Sequence, residues 1–246
     1  MNLNDTAGSL RKTALVTGGA KRVGRELALA LGRSGMNVVI TFRESDSAAR
    51  ETVEAIKALG VQSIAFELDV RSEQSAHRAV TATAELFGGI DLLVNNAAVF
   101  ESAQLSEITL DQWDRVFETN TRGPFLMARE ALPYLKAAHG CIVNLGSLGG
   151  THPWATHAHY CSSKAALHML TQTMAKAFAP EVSVNCVAPG YIELEGAGSE
   201  AAHFAAKTPM GRNGTAAAVA EAVLFFAHGP HFITGQVLAV DGGLGL

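Results

Sequence analysis

Short apolar runs alternate along the whole chain with stretches whose apolar residues recur every three or four positions. Residues 13–17 (TALVT), 38–42, 63–70, 91–94, 141–145, 182–187 and 236–240 are short runs dominated by aliphatic residues, and they read as buried strands. Between them, residues 22–33, 46–59, 72–87, 110–137, 158–178 and 215–227 show helical spacing. In the first of these, Val23, Leu27, Ala30 and Leu31 fall on one face, and Gly35 follows the stop. Ser45 or Asp46 caps the second, and Gly60 ends it. Gly123 and Pro124 interrupt the stretch 110–137, where the proline is expected to bend the helix.

Strands that alternate with helices of this length predict right-handed βαβ units. The expected fold is therefore α/β: a single domain with a parallel sheet of about seven strands flanked by helices. Neither a repeat nor a linker divides the chain. A polar, flexible tail over 1–11 is expected to precede one domain over 12–246. Residues 191–214 carry several Gly, a Pro and little periodicity, so they are expected to be irregular.

Composition narrows the class. A chain of 246 residues is long enough for one large core. Its net charge of -4 argues against a nucleic-acid partner, which calls for a basic surface. The three cysteines, Cys141, Cys161 and Cys186, are odd in number and lack CxxC spacing. Reduced thiols in a cytoplasmic protein are the expectation. The uncharged stretches 140–163 and 222–240 are broken by Gly, Pro and His, so no membrane span is expected. The opening MNLNDTAGSLRK lacks the apolar core of a signal peptide.

Candidate chemistry concentrates in residues 144–164, which hold Ser147, Tyr160 and Lys164. Tyr160 and Lys164 are four apart, hence on one helical face. An ammonium beside a phenol favours the phenolate, so a pKa lowered from about 10 is expected for Tyr160. A tyrosine tuned in this way exchanges a proton with an alcohol or carbonyl, and Ser147 is placed to hydrogen-bond the same oxygen. A second site opens where the first strand breaks into TGGAKRVG, residues 17–24. Glycines leading into a helix N-terminus make a phosphate site. At the end of the second strand, where NAD-preferring folds carry an acid, stands Phe42, with Arg43 next. Lys21 and Arg22 add positive charge, so NADP(H) is the expected cofactor; Glu44 competes for the acid's place if the register slips.

Together the segments TGGAKRVG, LDV (68–70), NNAA (95–98), ETNTRGPF with Asn120, the Ser147–Tyr160–Lys164 set, VNCVAPGYI (184–192) and ITGQVLAVDGG (233–243) resemble the short-chain dehydrogenases/reductases from Lys12 to Gly243. The resemblance implies a Rossmann-type domain, its doubly wound sheet covered by helices on both faces, and a nicotinamide cofactor. Gly18, Lys21, Arg22, Val23 and Gly24 are implied to cradle the dinucleotide, Asp69 and Val70 to hold its adenine, and Asn95 and Ala97 to line the cleft. Lys164 is implied to bind the nicotinamide ribose and Ile192 to lie by the carboxamide, while Pro189 joins the cofactor-binding set. Asn120 is implied to organise a water relay leading away from Lys164, or else to relieve the helix bend near Pro124. The implied reaction is hydride transfer to a carbonyl carbon, with Tyr160 protonating the oxygen and Ser147 orienting it. The resemblance also places 191–214 over the active site as a lid, and pairs the helices 110–137 and 157–179 across a dimer axis, giving a homotetramer or a homodimer.

Departures from the family pattern bear on the substrate. Arg22 replaces the middle glycine of TGxxxGxG, and TGxxxRxG with NNAA resembles the pteridine reductase branch. Ser147, where that branch often has Asp, resembles ordinary ketoreductases such as 3-oxoacyl-carrier-protein reductases. Leu194 takes the place of a Thr that touches the cofactor. The expected activity is thus an NADPH-dependent reductase of a small-molecule carbonyl, with a pteridine reductase and a catalytically silent NADP-binding sensor as alternatives. His152, His157 and His159 lack the spacing of a metal site and are expected to line the substrate cleft with Trp154. Trp113 is assigned to the core or an interface. Glu193 and Glu195 on the lid are expected to repel an anionic substrate or to be solvated.

Overall fold

The computed structural model describes residues 11–194 and 198–246. The expected tail lies outside the described residues except for Arg11, and so does Glu195. Seven strands form one sheet: β1 (Thr13–Val16), β2 (Asn37–Phe42), β3 (Ser63–Glu67), β4 (Leu92–Asn95), β5 (Cys141–Leu145), β6 (Ser183–Pro189) and β7 (Val237–Val240). Every pairing is parallel, in the order β3-β2-β1-β4-β5-β6-β7. The winding therefore reverses between β1 and β4, and the crevice beyond their carboxyl ends is where open α/β sheets bind ligands.

Eight helices flank the sheet among the described residues: α1 (Arg22–Arg33), α2 (Asp46–Lys57), α3 (Glu73–Phe87), α4 (Leu110–Phe117), α5 (Gly123–Ala138), α6 (Ala158–Phe178), α7 (Ser199–Lys207) and α8 (Ala216–His228). Strand alternation sorts the core into two layers. Ala14, Val16, Val38, Ile40, Leu92 and Val94 pack with Leu27, Ile56 and Val223 of α1, α2 and α8. Leu15, Val39 and Leu93 pack on the other face with Val80, Met127, Leu135 and Met174 of α3, α5 and α6. The inner strands β1, β4, β5 and β6 are buried at nearly every position because both of their faces are covered, whereas the edge strands β3 and β7 are partly exposed. No helix among the described residues is long and apolar enough to cross a membrane.

Three boundaries differ from expectation. β3 stops at Glu67 rather than at 70, because the chain turns just beyond it: the Ser72 amide bonds the Asp69 carbonyl (3.0 Å) and Asp69 clasps Arg71. The break in 110–137 is a π-helical turn at Glu118–Arg122, upstream of Pro124. Pro124 lies in the first turn of α5, where a missing N–H removes no helical bond. The segment 191–214 is not wholly irregular, since it contains α7. Its ends are closed by a bridge between Ile192 and Gly214, with Glu193 N–H to Gly214 O at 2.9 Å. Asn213 fastens it further, donating to Glu193 Oε2 and to the Ala201 carbonyl (both 2.9 Å).

Candidate active site

The turn after β1 is built by close approach. The Thr17 hydroxyl accepts from the Asn96 and Ala97 amides (2.9 and 3.0 Å), and Asn96 Nδ2 donates back to the Thr17 and Gly18 carbonyls (2.9 and 3.0 Å). This laces the ends of β1 and β4 together at the switch point. Gly18 adopts φ +64°, and a Cβ at Gly24 would lie 2.1 Å from the Gly18 carbonyl oxygen. Only glycine fits either position. Arg22 also has a positive φ, +51°, which explains why the resembling family places glycine there.

A cavity of about 440 Å³ opens in front of α1. Of the residues expected to bind cofactor, Gly18, Lys21, Arg22, Val23, Gly24, Arg43, Asp69, Val70 and Ala97 line it. Asn96, Val99, Thr119 and Leu194 line it as well; NNAA pointed to the strand end but not to which side chain turns inward. The first turn of α1 carries no acid and its N-cap, Lys21, makes no side-chain cap bond, which leaves amides for an anion. No described ion pair involves Lys21 or Arg22, whereas Arg43 NH2 bonds Glu44 Oε1 at 2.6 Å. The Asp69 carboxylate is held by Arg71, whose hydrogen bonds keep it below the usual range. A cradle of glycines, free helix amides and cations fits the diphosphate and ribose end of a dinucleotide.

Asn95 does not line this cavity. Strand alternation turns it into the interior, where its amide donates to Asn144 Oδ1 (2.9 Å) and Asn144 in turn donates to Thr171 (2.9 Å). Pro189, Ile192, Tyr160 and Lys164 also lie outside the cavity walls.

Beyond the end of β5, the chain passes through Ser147 and a 3₁₀ turn at Leu148–Gly150 before α6 begins. The Ser147 hydroxyl is buried and accepts from the Gly149 amide (3.1 Å). Lys164, one turn beyond Tyr160 on α6, is 3% exposed and donates to the Leu145 carbonyl at 2.7 Å. Its nitrogen lies 5.8 Å from the Tyr160 ring centroid. Burial pulls the Lys164 ammonium down to about 8. The expected lowering of Tyr160 is corrected: its pKa is raised, because burial penalises the phenolate, while the Ser147 hydroxyl pulls the other way. The ammonium of Lys164 is directed at a carbonyl instead of the phenol oxygen.

Asn120 occupies the π-helical turn and works outside its own helix. Its Oδ1 accepts from the Val99 amide (2.8 Å), and Nδ2 donates to the Val99 carbonyl (2.9 Å) and to Ser163 Oγ (3.1 Å). Ser163 Oγ donates on to the Tyr160 carbonyl at 2.7 Å. The chain of direct contacts from Asn120 thus reaches the Tyr160 backbone through Ser163.

The three histidines before Tyr160 diverge. His157 joins an aromatic cluster with Trp154, His152 bonds Thr151 at 3.0 Å, and His159 is fully buried with both ring nitrogens unpaired. Sequence reading missed His168, which lies one turn beyond Lys164 and packs so tightly on the Ser147 segment that a Cβ at Gly146 would meet its ring at 2.4 Å. The Ser147 amide points to its Nε2 at 3.5 Å, and burial followed by the Lys164 charge lowers its pKa.

A parallel sheet with a glycine-cradled cavity at its switch point and a Ser–Tyr–Lys set beside it defines a dinucleotide-dependent oxidoreductase. A family model described as enoyl-(acyl carrier protein) reductase matches residues 18–245. A 3-oxoacyl-[acyl-carrier-protein] reductase of Staphylococcus epidermidis is 34% identical over 96% of this chain and 99% of its own. A 3beta-hydroxysteroid dehydrogenase of Eggerthella lenta is 35% identical over 96% and 94%. Among solved structures, a blue fluorescent protein from a metagenomic library in complex with NADPH superposes with a TM-score of 0.89 at 30% identity, covering 95% of this chain and 97% of that one. The chain belongs to the short-chain dehydrogenase/reductase family. It is accordingly an oxidoreductase that uses a nicotinamide dinucleotide on carbonyl and alcohol groups. These relatives lend no support to the pteridine alternative.

Proposed function

We propose that the chain is an NADPH-dependent ketoreductase that converts a small-molecule ketone to an alcohol, with Tyr160 as proton donor. The observation that carries this reading is the placement of Ser147 just beyond β5 and of Tyr160 and Lys164 on α6, at the same end of the sheet as the cation-lined cavity. When bound, the dinucleotide supplies the hydride. Ser147 donates a hydrogen bond to the carbonyl oxygen, and the Tyr160 phenol, kept protonated by its burial, delivers the proton to it. Lys164, its ammonium held on the Leu145 carbonyl, places a positive charge beside the Tyr160 ring that stabilises the phenolate left by the transfer, and solvent returns the proton. Lys21, Arg22 and Arg43 favour a 2′-phosphate over a bare ribose hydroxyl; Phe42 ends β2 without an acid, and Glu44, which lines the same cavity, has its carboxylate on Arg43.

We infer a cytoplasmic location from the three unpaired cysteines, two of them buried. We also infer that copies pair through α4–α6, where Leu110, Trp113, Phe125 and Met169 are exposed.

The deciding experiment follows NADPH oxidation by the purified chain against ketones, β-ketoacyl thioesters and quinones. In Tyr160→Phe, turnover falls roughly a hundred- to ten-thousandfold while NADPH affinity holds within about twofold. Undiminished kcat in that variant removes Tyr160 from the proton step.

A further inference from the structure

Tyr160 belongs to a closed ring of four aromatic side chains. Phe100 meets it edge-on at 4.8 Å and 89°, and Trp154 lies nearly parallel at 6.1 Å and 12°. His157 closes the circle, stacked on Phe100 at 4.7 Å and edge-on to Trp154 at 5.8 Å. Other contacts hold this cluster in place. Asn120 clamps the Val99 backbone beside Phe100, and the Ala103 amide bonds the Thr156 carbonyl (2.9 Å), joining the two loops that carry the rings. The Trp154 indole rests against Gly149, where a Cβ would lie 3.1 Å from it. Phe100 remains 61% exposed, so an apolar wall adjoins the phenol and faces outward.

The charges nearby are already paired. Glu101, next to Phe100, has both oxygens on Arg115 at 2.8 and 2.7 Å. Along α4 and α5, every cation is matched: Arg115 with Glu101, Arg122 with Glu118, Arg129 with Glu73 and Glu130, and Lys136 with Glu181. Burial lowers the pKa of His157. On α4 and α5 an acidic carrier protein, or a phosphate on a pantetheine arm, meets only cations that already have carboxylate partners. The lid carries Lys207 and Arg212, and Arg212 is turned to the Asn213 carbonyl at 3.3 Å.

From this arrangement we propose that Phe100, Trp154 and His157 select an uncharged ketone with a flat or alicyclic ring system over a linear acyl thioester. A preorganised aromatic wall gains contact with a rigid ring face at little entropic cost, whereas a flexible acyl chain must be ordered against it. The inference rests on the ketoreductase reading above.

Three ketones and NADPH test it on the full chain: 1-decalone as a fused bicyclic ketone, ethyl acetoacetate as a small linear ester, and acetoacetyl-CoA as an anionic thioester. The kcat/KM for 1-decalone is expected to exceed that for acetoacetyl-CoA at least roughly tenfold. Phe100→Leu and Trp154→Leu, which keep apolar bulk but remove the ring, should each lower the preference for 1-decalone over ethyl acetoacetate roughly tenfold, mainly through KM. NADPH binding by the variants verifies that the fold is intact. A thioester preferred over 1-decalone, or a preference ratio unmoved in both variants, overturns this inference alone. Turnover of none of the three ketones, with NADPH still bound, overturns the ketoreductase reading and this inference with it.

Discussion

Arg22 holds a left-handed backbone that costs an L-residue roughly 1–2 kcal/mol, and it does so at the lip of the cavity in front of α1. A strained residue persists where its side chain has a use, and here the side chain is a cation with no described ion pair. Arg22→Gly is therefore expected to leave the thermal midpoint unchanged or higher, while NADPH affinity falls about tenfold and NADH affinity barely moves. Equal losses for both cofactors, measured by titration, would detach Arg22 from the 2′-phosphate. Lys164 carries a cost of another kind, a charge buried away from water. Its proton is bound less tightly in the folded chain, near 8, than at the ordinary 10.5, so the unfolded chain holds the proton more strongly. The resulting penalty, on the order of 3 kcal/mol, is fully present below about pH 8 and is relieved as pH rises from about 8 to about 10.5. Lys164→Met should thus abolish turnover yet raise the urea midpoint at pH 7, with the gain shrinking towards pH 10.5. A lower midpoint at pH 7 would show that the bond to the Leu145 carbonyl outweighs burial. The spacing of Tyr160 and Lys164 was legible in the sequence, but the sign of the Tyr160 shift was not. Spacing sets which residues are neighbours, whereas burial sets which charge state is favoured.

At the scale of elements, the informative one is the π-helical turn between α4 and α5. It is too irregular for a periodicity reading, and the nearby Gly123-Pro124 drew the expected break downstream of the true one. The turn places Asn120 where it clamps Val99 and reaches Ser163, so one residue ties the strand-end loop to the helix bearing Tyr160. Asn120→Ala leaves the Val99 amide and carbonyl without their partner, a loss of roughly 1–3 kcal/mol in urea unfolding. It should also lower kcat more than it raises KM for cofactor, because the Tyr160 helix loses its brace while the glycine loop keeps its own. A variant with normal kcat would confine Asn120 to a structural role. Helix α7 escaped prediction for a related reason: it is short, flanked by Gly and Ser, and has no buried residues, so the core imposes no apolar stripe on it.

For the whole molecule, the expected association follows from surfaces that a monomer would leave wet. Leu110, Trp113, Phe125 and Met169 are exposed on α4, α5 and α6, helices that pack against one another. Sedimentation should give a dimer or tetramer, and Phe125→Glu should shift the distribution towards monomer, since a charge in an apolar interface is left unpaired. A monomeric mass for the unaltered chain at all concentrations would refute the inference. The switch point between β1 and β4 belongs to this scale too. Asn96 and Thr17, 79 positions apart, meet only because the sheet reverses its winding there.

The order of strands and helices, the two-faced burial of the strands, the glycine turn and the serine, tyrosine and lysine positions all follow from local pattern, because apolar periodicity and backbone sterics act over a few residues. Which of Asn95 and Asn96 faces the cofactor, where Lys164 points, that Asn120 braces another helix, and that Phe100 joins Trp154 and His157 around Tyr160 were decided by the tertiary structure. Each depends on which distant atoms arrive alongside, and on how much water they exclude.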